Sequence, residues 1–332
     1  MSHRVILDTD PGVDDAMAIA LCVAHPDIEL LALTTVFGNV SVDQSTRNAQ
    51  FVLDVLGATD VAVAKGLGKP IVQPPLPHSE SVHGDDGLGN CWDGSRVLNA
   101  DAKHATLSSL SAAEYIVEQA KQQPGEITLI AVGPLSNVAK ALELEPTLPE
   151  LLRSLVIMGG ALDEPGNVTP VAEANFLNDP HAADQVLAVD WPATVIGLDV
   201  THRIMVTDTH LGTLRDKAGE TGKLLWESSR FYVDFYVRKG AAKASQEPAC
   251  AMHDAAAVLY LLMPEAFDLI KGRARVVDSG IALGQLTCDR KGYDYALPHW
   301  ESVTSNSAIA MAVNDEPVRQ EFLHCLINHH IT

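Results

Sequence analysis

The stretch Arg4-Val-Ile-Leu-Asp-Thr-Asp-Pro-Gly-Val-Asp-Asp-Ala-Met-Ala-Ile19 sets four carboxylates, Asp8, Asp10, Asp14 and Asp15, within eight residues directly behind a short apolar run. A run of that length ending in Pro11-Gly12 predicts a buried strand that stops at a turn. Asp14 and Asp15 then fall in the first turn of a helix, where the macrodipole favours anions. Successive strand residues face opposite sides, so Asp8 and Asp10 share one side and the turn brings the later pair back over the same end. Two carboxylates about 4 Å apart repel by roughly 4 kcal/mol at an effective dielectric of about 20, against a net domain stability of roughly 5 to 15 kcal/mol. The charges must be splayed, protonated or neutralised by a cation. Oxygen-only donors point to a hard ion, Ca2+ or Mg2+, over zinc or copper. Helix capping alone would suit an isolated Asp-Asp pair; four acids at one junction argue for a site.

Working outward, short β-rich runs alternate with helical patterns, which predicts a mainly parallel sheet covered by helices. The expected strands are Val5–Asp8, Glu29–Val36, Val61–Ala64, Ile127–Val132, Leu155–Met158 and Thr194–Leu198. The expected helices are Val13–Ala24, Val42–Leu56, Ser109–Gln122, Leu135–Leu142 and Pro180–Ala188. Ser41-Val-Asp-Gln44 has the spacing of a reciprocal capping box. The acid cluster thereby sits at a strand's carboxyl end, where open α/β sheets place ligands. Beyond Thr201 the pattern is mostly helical to about Lys239. Arg273–Val277, Ile281–Leu286 and Ser302–Val313 are expected as an antiparallel extension, with a terminal helix Glu316–Asn328. No linker or internal repeat divides the 332 residues, so one domain over 1–332 is expected. The stretch 65–103, rich in Pro, Gly and His and without periodicity, is read as an active-site lid.

Composition removes several function classes. With 47% hydrophobic and 20% charged residues the chain can bury a substantial core. Its formal charge of −20, from 43 acidic and 23 basic residues, makes nucleic acid or an anionic membrane a poor partner. A small neutral or cation-bridged ligand fits better. The longest early apolar run, Ala16 to Ala24, is too short to span a bilayer, and five scattered cysteines without a C-x-x-C pair favour reduced thiols in a cytoplasm.

Two further patches carry chemistry. Asn167, Glu173, Asn175, Asn178 and Asp179 crowd the stretch 166–180, and amides with carboxylates suit the hydroxyls of a sugar; turn chemistry or a helix cap is accepted for Asn178 or Asp179. His253 and Asp254 open an apolar helix in Met252-His-Asp-Ala-Ala-Ala-Val-Leu-Tyr260, as candidates for proton donor and ligand.

Taken together, Asp8-Thr-Asp-Pro-Gly-Val-Asp-Asp-Ala16, Phe37-Gly-Asn39, Ala131-Val-Gly-Pro-Leu-Ser-Asn137, Met158-Gly-Gly160, Glu173-Ala-Asn175 and Met252-His-Asp254 resemble the inosine/uridine-preferring nucleoside hydrolase family. The resemblance implies one α/β domain with a Rossmann-like core, one Ca2+ per subunit, and hydrolysis of an N-ribosidic bond to ribose and free base. By motif position it implies Asp10, Asp15, Asp254 and the Val132 carbonyl as metal ligands, with Asp10 taking the proton of a Ca2+-activated water that attacks C1′. Asp14, Asn39, Asn167, Glu173 and Asn175 match ribose-binding positions, and Asp8 is read as orienting the ligating groups. His253 matches the leaving-base acid, with His83 on the lid and Tyr232 or Tyr236 as helpers. A homo-oligomer, dimer or tetramer, is also implied. Ala174 departs from the pattern, standing where relatives often carry an aromatic residue.

Three rival readings share parts of this pattern. An Mg2+-dependent aspartyl-phosphate phosphatase would use Asp8 as nucleophile, but Pro11-Gly-Val-Asp-Asp15 is a poor phosphate loop. A phosphate-dependent nucleoside phosphorylase would yield ribose 1-phosphate, and a Ca2+-dependent nucleoside-binding protein would release no base.

Overall fold

The computed structural model describes residues 2–91, 104–240, 247–293, 295–297, 300 and 307–328. Eleven strands occur among them: β1 (His3–Thr9), β2 (Ile28–Thr35), β3 (Ala62–Lys65), β4 (Ile127–Ala131), β5 (Ser154–Met158), β6 (Ala193–Ile196), β7 (Met205–Thr207), β8 (Ala249–Ala251), β9 (Phe267–Val276), β10 (Leu286–Asp289) and β11 (Ser307–Val313). Nine of them form one sheet in the order β10-β9-β11-β6-β5-β4-β1-β2-β3. The run from β3 to β11 is parallel throughout, and β9 and β10 add the antiparallel edge. The six parallel strands at one side follow the doubly wound order 3-2-1-4-5-6, with its switch point between β1 and β4.

Alternation along β1 shows why the sheet is covered on both faces. Val5 and Leu7 enter one apolar layer with the helix Val13–Ala24, while Ile6 enters the opposite layer with Leu129, Ile157 and Val195. That helix is buried along all of its sides from Val13 to Cys22, because it lies between the sheet and the helices Gly219–Arg238, His253–Leu262 and Asp315–Asn328. Among the described residues no helix is long and apolar enough to cross a membrane.

The early elements match expectation to within a few residues, and the later third differs. The residues expected as a strand at Ile281–Leu286 instead make a 3-10 turn, Gly280–Ala282, and extended pairing starts only at Leu286. Gly280, at φ 78°, supplies the turn that a β-branched run cannot. Within Ser302–Val313, pairing runs over β11, while 301–306 lie outside the described residues. Leu198 belongs to the short helix Leu198–Thr201 and not to the strand before it. The short pair β7 and β8 had no visible sequence signal. At Ser41 only half of the capping box forms: Ser41 Oγ accepts from Gln44 N at 3.3 Å, but the Gln44 side chain donates to Asn48 Oδ1. The reciprocal box forms at Ser111 and Glu114, which start the helix Ala112–Gln122.

The loops at the sheet's carboxyl edge converge on Asn137. Its fully buried amide donates to Asp8 Oδ1 at 2.8 Å and to the Thr35 carbonyl at 3.0 Å, and accepts from Leu67 N at 2.9 Å. Asn137→Ala strands the Leu67 N–H and opens a hole, so the expected loss is about 2 to 3 kcal/mol of unfolding free energy. Urea denaturation at one fixed buffer and divalent-cation concentration checks it; a loss below about 0.5 kcal/mol contradicts the account.

Candidate active site

The acid cluster falls at the switch point, where the carboxyl ends of β1 and β4 diverge. A cavity of about 300 Å3 opens there. Asp14, Asn39, His83, Asn167, Glu173, Asn175, Tyr232 and Tyr236, every residue expected to contact substrate, lie on its wall, as do Val132, His253 and Asp254. Asp10 and Asp15 lie off that wall and are reached from it through Asn39, whose Nδ2 donates to Asp15 Oδ2 at 3.2 Å and whose backbone N–H donates to Asp10 Oδ2 at 2.6 Å.

Backbone geometry holds these acids in place. The Asp15 carboxylate accepts from Gly12 N at 2.8 Å, from the Thr9 hydroxyl and from Asp10 N, so it caps the helix start and closes the turn together. Asp10 is wedged between two glycines: a Cβ at Gly38 would lie 2.0 Å from its Oδ2, and one at Gly133 would lie 2.6 Å from its Oδ1. Either side chain would evict the carboxylate. Carboxylate oxygens of Asp14, Asp15 and Asp254 lie within 4.8 Å of one another. At that spacing each charged pair costs about 3.5 kcal/mol at an effective dielectric of about 20. Burial, then mutual repulsion, accordingly pushes Asp10, Asp14 and Asp254 well above the carboxylate range; Asp15 is raised too, against four hydrogen bonds that favour its charge. The Asp10 Oδ1 and Asp14 Oδ1 atoms are buried with no hydrogen-bond partner.

Asp8 lies apart from the cavity wall. Its Oδ1 accepts from Thr34 Oγ1 at 2.6 Å and from Asn137, and burial lifts its pKa to about 7. A fully enclosed carboxylate cannot reach a phosphoryl group, which removes the phosphatase reading's nucleophile.

Glu173 differs from its sequence reading in one respect. Both its oxygens are committed to backbone donors, Oε1 to Asn175 N at 2.9 Å and Oε2 to Gly160 N at 2.8 Å, so it caps the helix Ala174–Asn178 while it lines the cavity. Asp179 is structural as expected: it caps the next helix through Ala182 N and accepts from Ser136 Oγ and Ile71 N. Asn175 Nδ2 donates to the Val132 carbonyl at 2.8 Å, and Asn167 Oδ1 accepts from Ala174 N.

The opposite wall is aromatic. The His83 and Tyr232 rings stack at 5.2 Å, and His83 Nδ1 accepts from Val13 N, which places its ring proton on Nε2. Tyr232 OH donates to Asp14 Oδ2, Tyr232 and Tyr236 hydroxyls are in contact, and Tyr236 OH lies 2.7 Å from His253 Nε2, whose Nδ1 faces Thr201 Oγ1 at 2.7 Å. Burial drives both histidines down to about 3, so each imidazole is neutral at pH 7. Within the expected lid, residues 66–91 run as a strap tied to Asn137, Asp179 and Asn39, with the single turn Glu80–His83 delivering His83. Residues 92–103 lie outside the described residues.

Sequence reasoning missed Ser79, Met158, His202, Phe235 and Lys239, all on the wall. Phe235 and Lys239 follow Tyr232 at helical spacing, a signal that was available; His202 comes from a loop reached only through the fold.

A doubly wound sheet with an acid-floored cavity at its switch point is the architecture of an α/β protein that takes a small ligand at the carboxyl ends of its strands. The inosine-uridine preferring nucleoside hydrolase model matches residues 5–320, and the chain belongs to that family of enzymes, which split ribonucleosides into base and ribose. It is 38% identical over 282 residues to the probable uridine nucleosidase 2 of Arabidopsis thaliana, covering 85% of this chain and 84% of the relative. It is 34% identical to the inosine-uridine preferring nucleoside hydrolase of Crithidia fasciculata over 94% of both chains. A solved plant nucleoside hydrolase superposes with a TM-score of 0.88 at 31% identity, covering 99% of this chain and all of that one.

The raised carboxylates give a pH signature. A folded pKa above the unfolded value means the native state binds more protons, so stability is fullest below the unfolded pKa near 4 and is lost as pH rises through the folded value, about 7 for Asp8. Chelator-treated protein is therefore expected to show a Tm that falls between pH 5 and 7.5, with excess divalent cation reversing most of the fall. A flat or rising Tm across that window in the metal-free protein contradicts the electrostatic description.

Proposed function

We infer that the protein hydrolyses the N-glycosidic bond of inosine- and uridine-type ribonucleosides with one divalent cation, Ca2+, at the acid cluster. The observation that carries this reading is one continuous cavity joining the clustered carboxylates, the amide-rich wall and the aromatic wall. The donor set fits a hard cation: all ligating atoms are oxygen, several carboxylates are buried at repulsive spacing, and two of their oxygens lack any partner. Asp10, Asp15, Asp254 and the Val132 carbonyl would hold the ion, with Asp14 beside them. Once bound, it supplies the positive charge that acidifies water and gathers the 2′- and 3′-hydroxyls of ribose.

The chain's own residues perform the rest. Asp10 is the proton acceptor for the attacking water: Asn39 and Gly38 confine its Oδ2, Gly133 leaves room beside Oδ1, and that oxygen, without a hydrogen-bond partner, is left to act as base. Asp14 Oδ1 is likewise free to accept from a sugar hydroxyl. Asn39, Asn167 and Asn175 supply amides to the ribose, while Glu173 sets the loop that presents Asn175. His83 and Tyr232 offer a stacking face to the base, and the His253–Tyr236 pair offers hydroxyl and imidazole protons to the departing nitrogen heterocycle. The free thiols of Cys22, Cys250, Cys288 and Cys325 fit a reducing cytoplasm, and the resemblance carries the expectation of a homo-oligomer in base salvage.

A panel of purine and pyrimidine ribosides tests this. Chelation is expected to abolish base release and Ca2+ to restore it; full activity after verified metal removal contradicts the reading. Asp10→Asn, assayed at saturating Ca2+, should lower kcat about 1,000-fold, the range of a lost general base. Release of ribose 1-phosphate that depends on added phosphate would overturn hydrolysis in favour of phosphorolysis.

A further inference from the structure

One cation faces this cavity without an assigned role. The helix Gly219–Arg238 presents Tyr232, then Phe235 and Tyr236, then Lys239 at its C-cap, all on the cavity wall at spacings of three and four residues. The stripe has a direction. Tyr232 touches Asp14 at the acid floor, Tyr236 touches His253 midway, and Lys239 lies about 10 Å along the axis from Tyr232, judged from the helical rise. Its ammonium sits 5.6 Å over the Phe235 ring, and among the described residues no carboxylate forms an ion pair with it. Of the described residues on the wall, Lys239 alone bears a permanent positive charge.

Resting on the hydrolase reading above, we propose that Lys239 is a specificity-determining residue that reads the carbonyl oxygen at the far end of the base and stabilises the charge collecting there as the base departs. A ribose held at Asp14, Asn39 and Asn175 points its base along the stripe, toward the cation. When the C1′–N bond breaks, its electron pair moves into the base, water supplies the new C1′ hydroxyl, and Asp10 takes the water's proton. The departing base takes one proton by way of the His253–Tyr236 pair, which solvent replaces. In uracil and hypoxanthine that electron pair delocalises onto a ring carbonyl oxygen, which a lysine ammonium can donate to. Cytosine and adenine carry an amino group at the corresponding position, and Lys, a donor only, has nothing to accept from it. Sites that hydrogen-bond one substrate group discriminate strongly against an analogue lacking it. The neighbouring imidazoles do not duplicate this role: both His253 nitrogens are engaged, by Tyr236 OH and Thr201 Oγ1, and His83 Nδ1 accepts from Val13 N.

The test compares kcat/KM for uridine, cytidine, inosine and adenosine in Ca2+-loaded wild type, Lys239→Met and Lys239→Arg. Wild type is expected to prefer uridine to cytidine and inosine to adenosine. Lys239→Met, which keeps the chain length and drops the charge, should lower both selectivity ratios at least tenfold, chiefly through loss of the oxo-base rates. Lys239→Arg should keep both ratios within about threefold. Ratios unchanged within twofold in an active Lys239→Met enzyme would overturn the proposal, as would a wild-type preference for the amino bases. A wild type inactive on all four ribosides would instead overturn the hydrolase reading itself, and an activity control on 4-nitrophenyl riboside, whose departure needs little assistance, tells the two failures apart.

Discussion

The structure depends on one electrostatic constraint: several carboxylates are buried together at the carboxyl ends of the two central strands. Three of them approach within 4.8 Å, and their repulsion, with each carboxylate largely buried, is comparable with the net stability of an ordinary domain. Protonation of the raised carboxylates relieves it, and a bound cation, as in the proposed function, would relieve it too. The acids are therefore evidence about a ligand as much as about the chain.

Everything around the cluster serves to keep those oxygens from escaping. Asp15 is pinned by the helix start it caps, Asp10 by Asn39 and by two glycines whose missing side chains leave room for it. Asn137 and Asp179 fasten the strap whose end carries Ser79 and His83 to the cavity. The antiparallel pair β7 and β8 leads directly into Met252, whose N–H donates to the Ile204 carbonyl, and so sets His253 and Asp254 on the cavity wall. Three carboxylate oxygens here are buried without a hydrogen-bond partner, Asp8 Oδ2, Asp10 Oδ1 and Asp14 Oδ1, and the proposed chemistry uses the last two.

Much of this was legible in the chain because local rules sufficed. The apolar run before Pro11-Gly12, the period of the early helices and the acid spacing each report on neighbours a few residues apart, and the parallel sheet followed from their alternation. Pairing between distant segments was not legible. Strands of three residues such as β7 and β8 have too little pattern to register, and Ile281–Leu286 reads as strand by composition while Gly280 turns it. The dual part played by Glu173, wall and helix cap together, shows only once the Gly160 N–H is seen to approach it. His202 and Lys239 reach the cavity through tertiary packing, although the helical spacing from Tyr232 to Lys239 was open to view.

The central claim is that the acid cluster is a cation site facing a ribose. A crystal structure of the Ca2+-loaded protein tests it most directly. The account predicts one strong peak with oxygens of Asp10, Asp15 and Asp254 at the 2.3 to 2.6 Å usual for calcium, the Val132 carbonyl swung from Asn175 onto the ion, and open coordination toward the cavity. Density showing these acids protonated and hydrogen-bonded to one another at saturating Ca2+, with the ion elsewhere or absent, would contradict it.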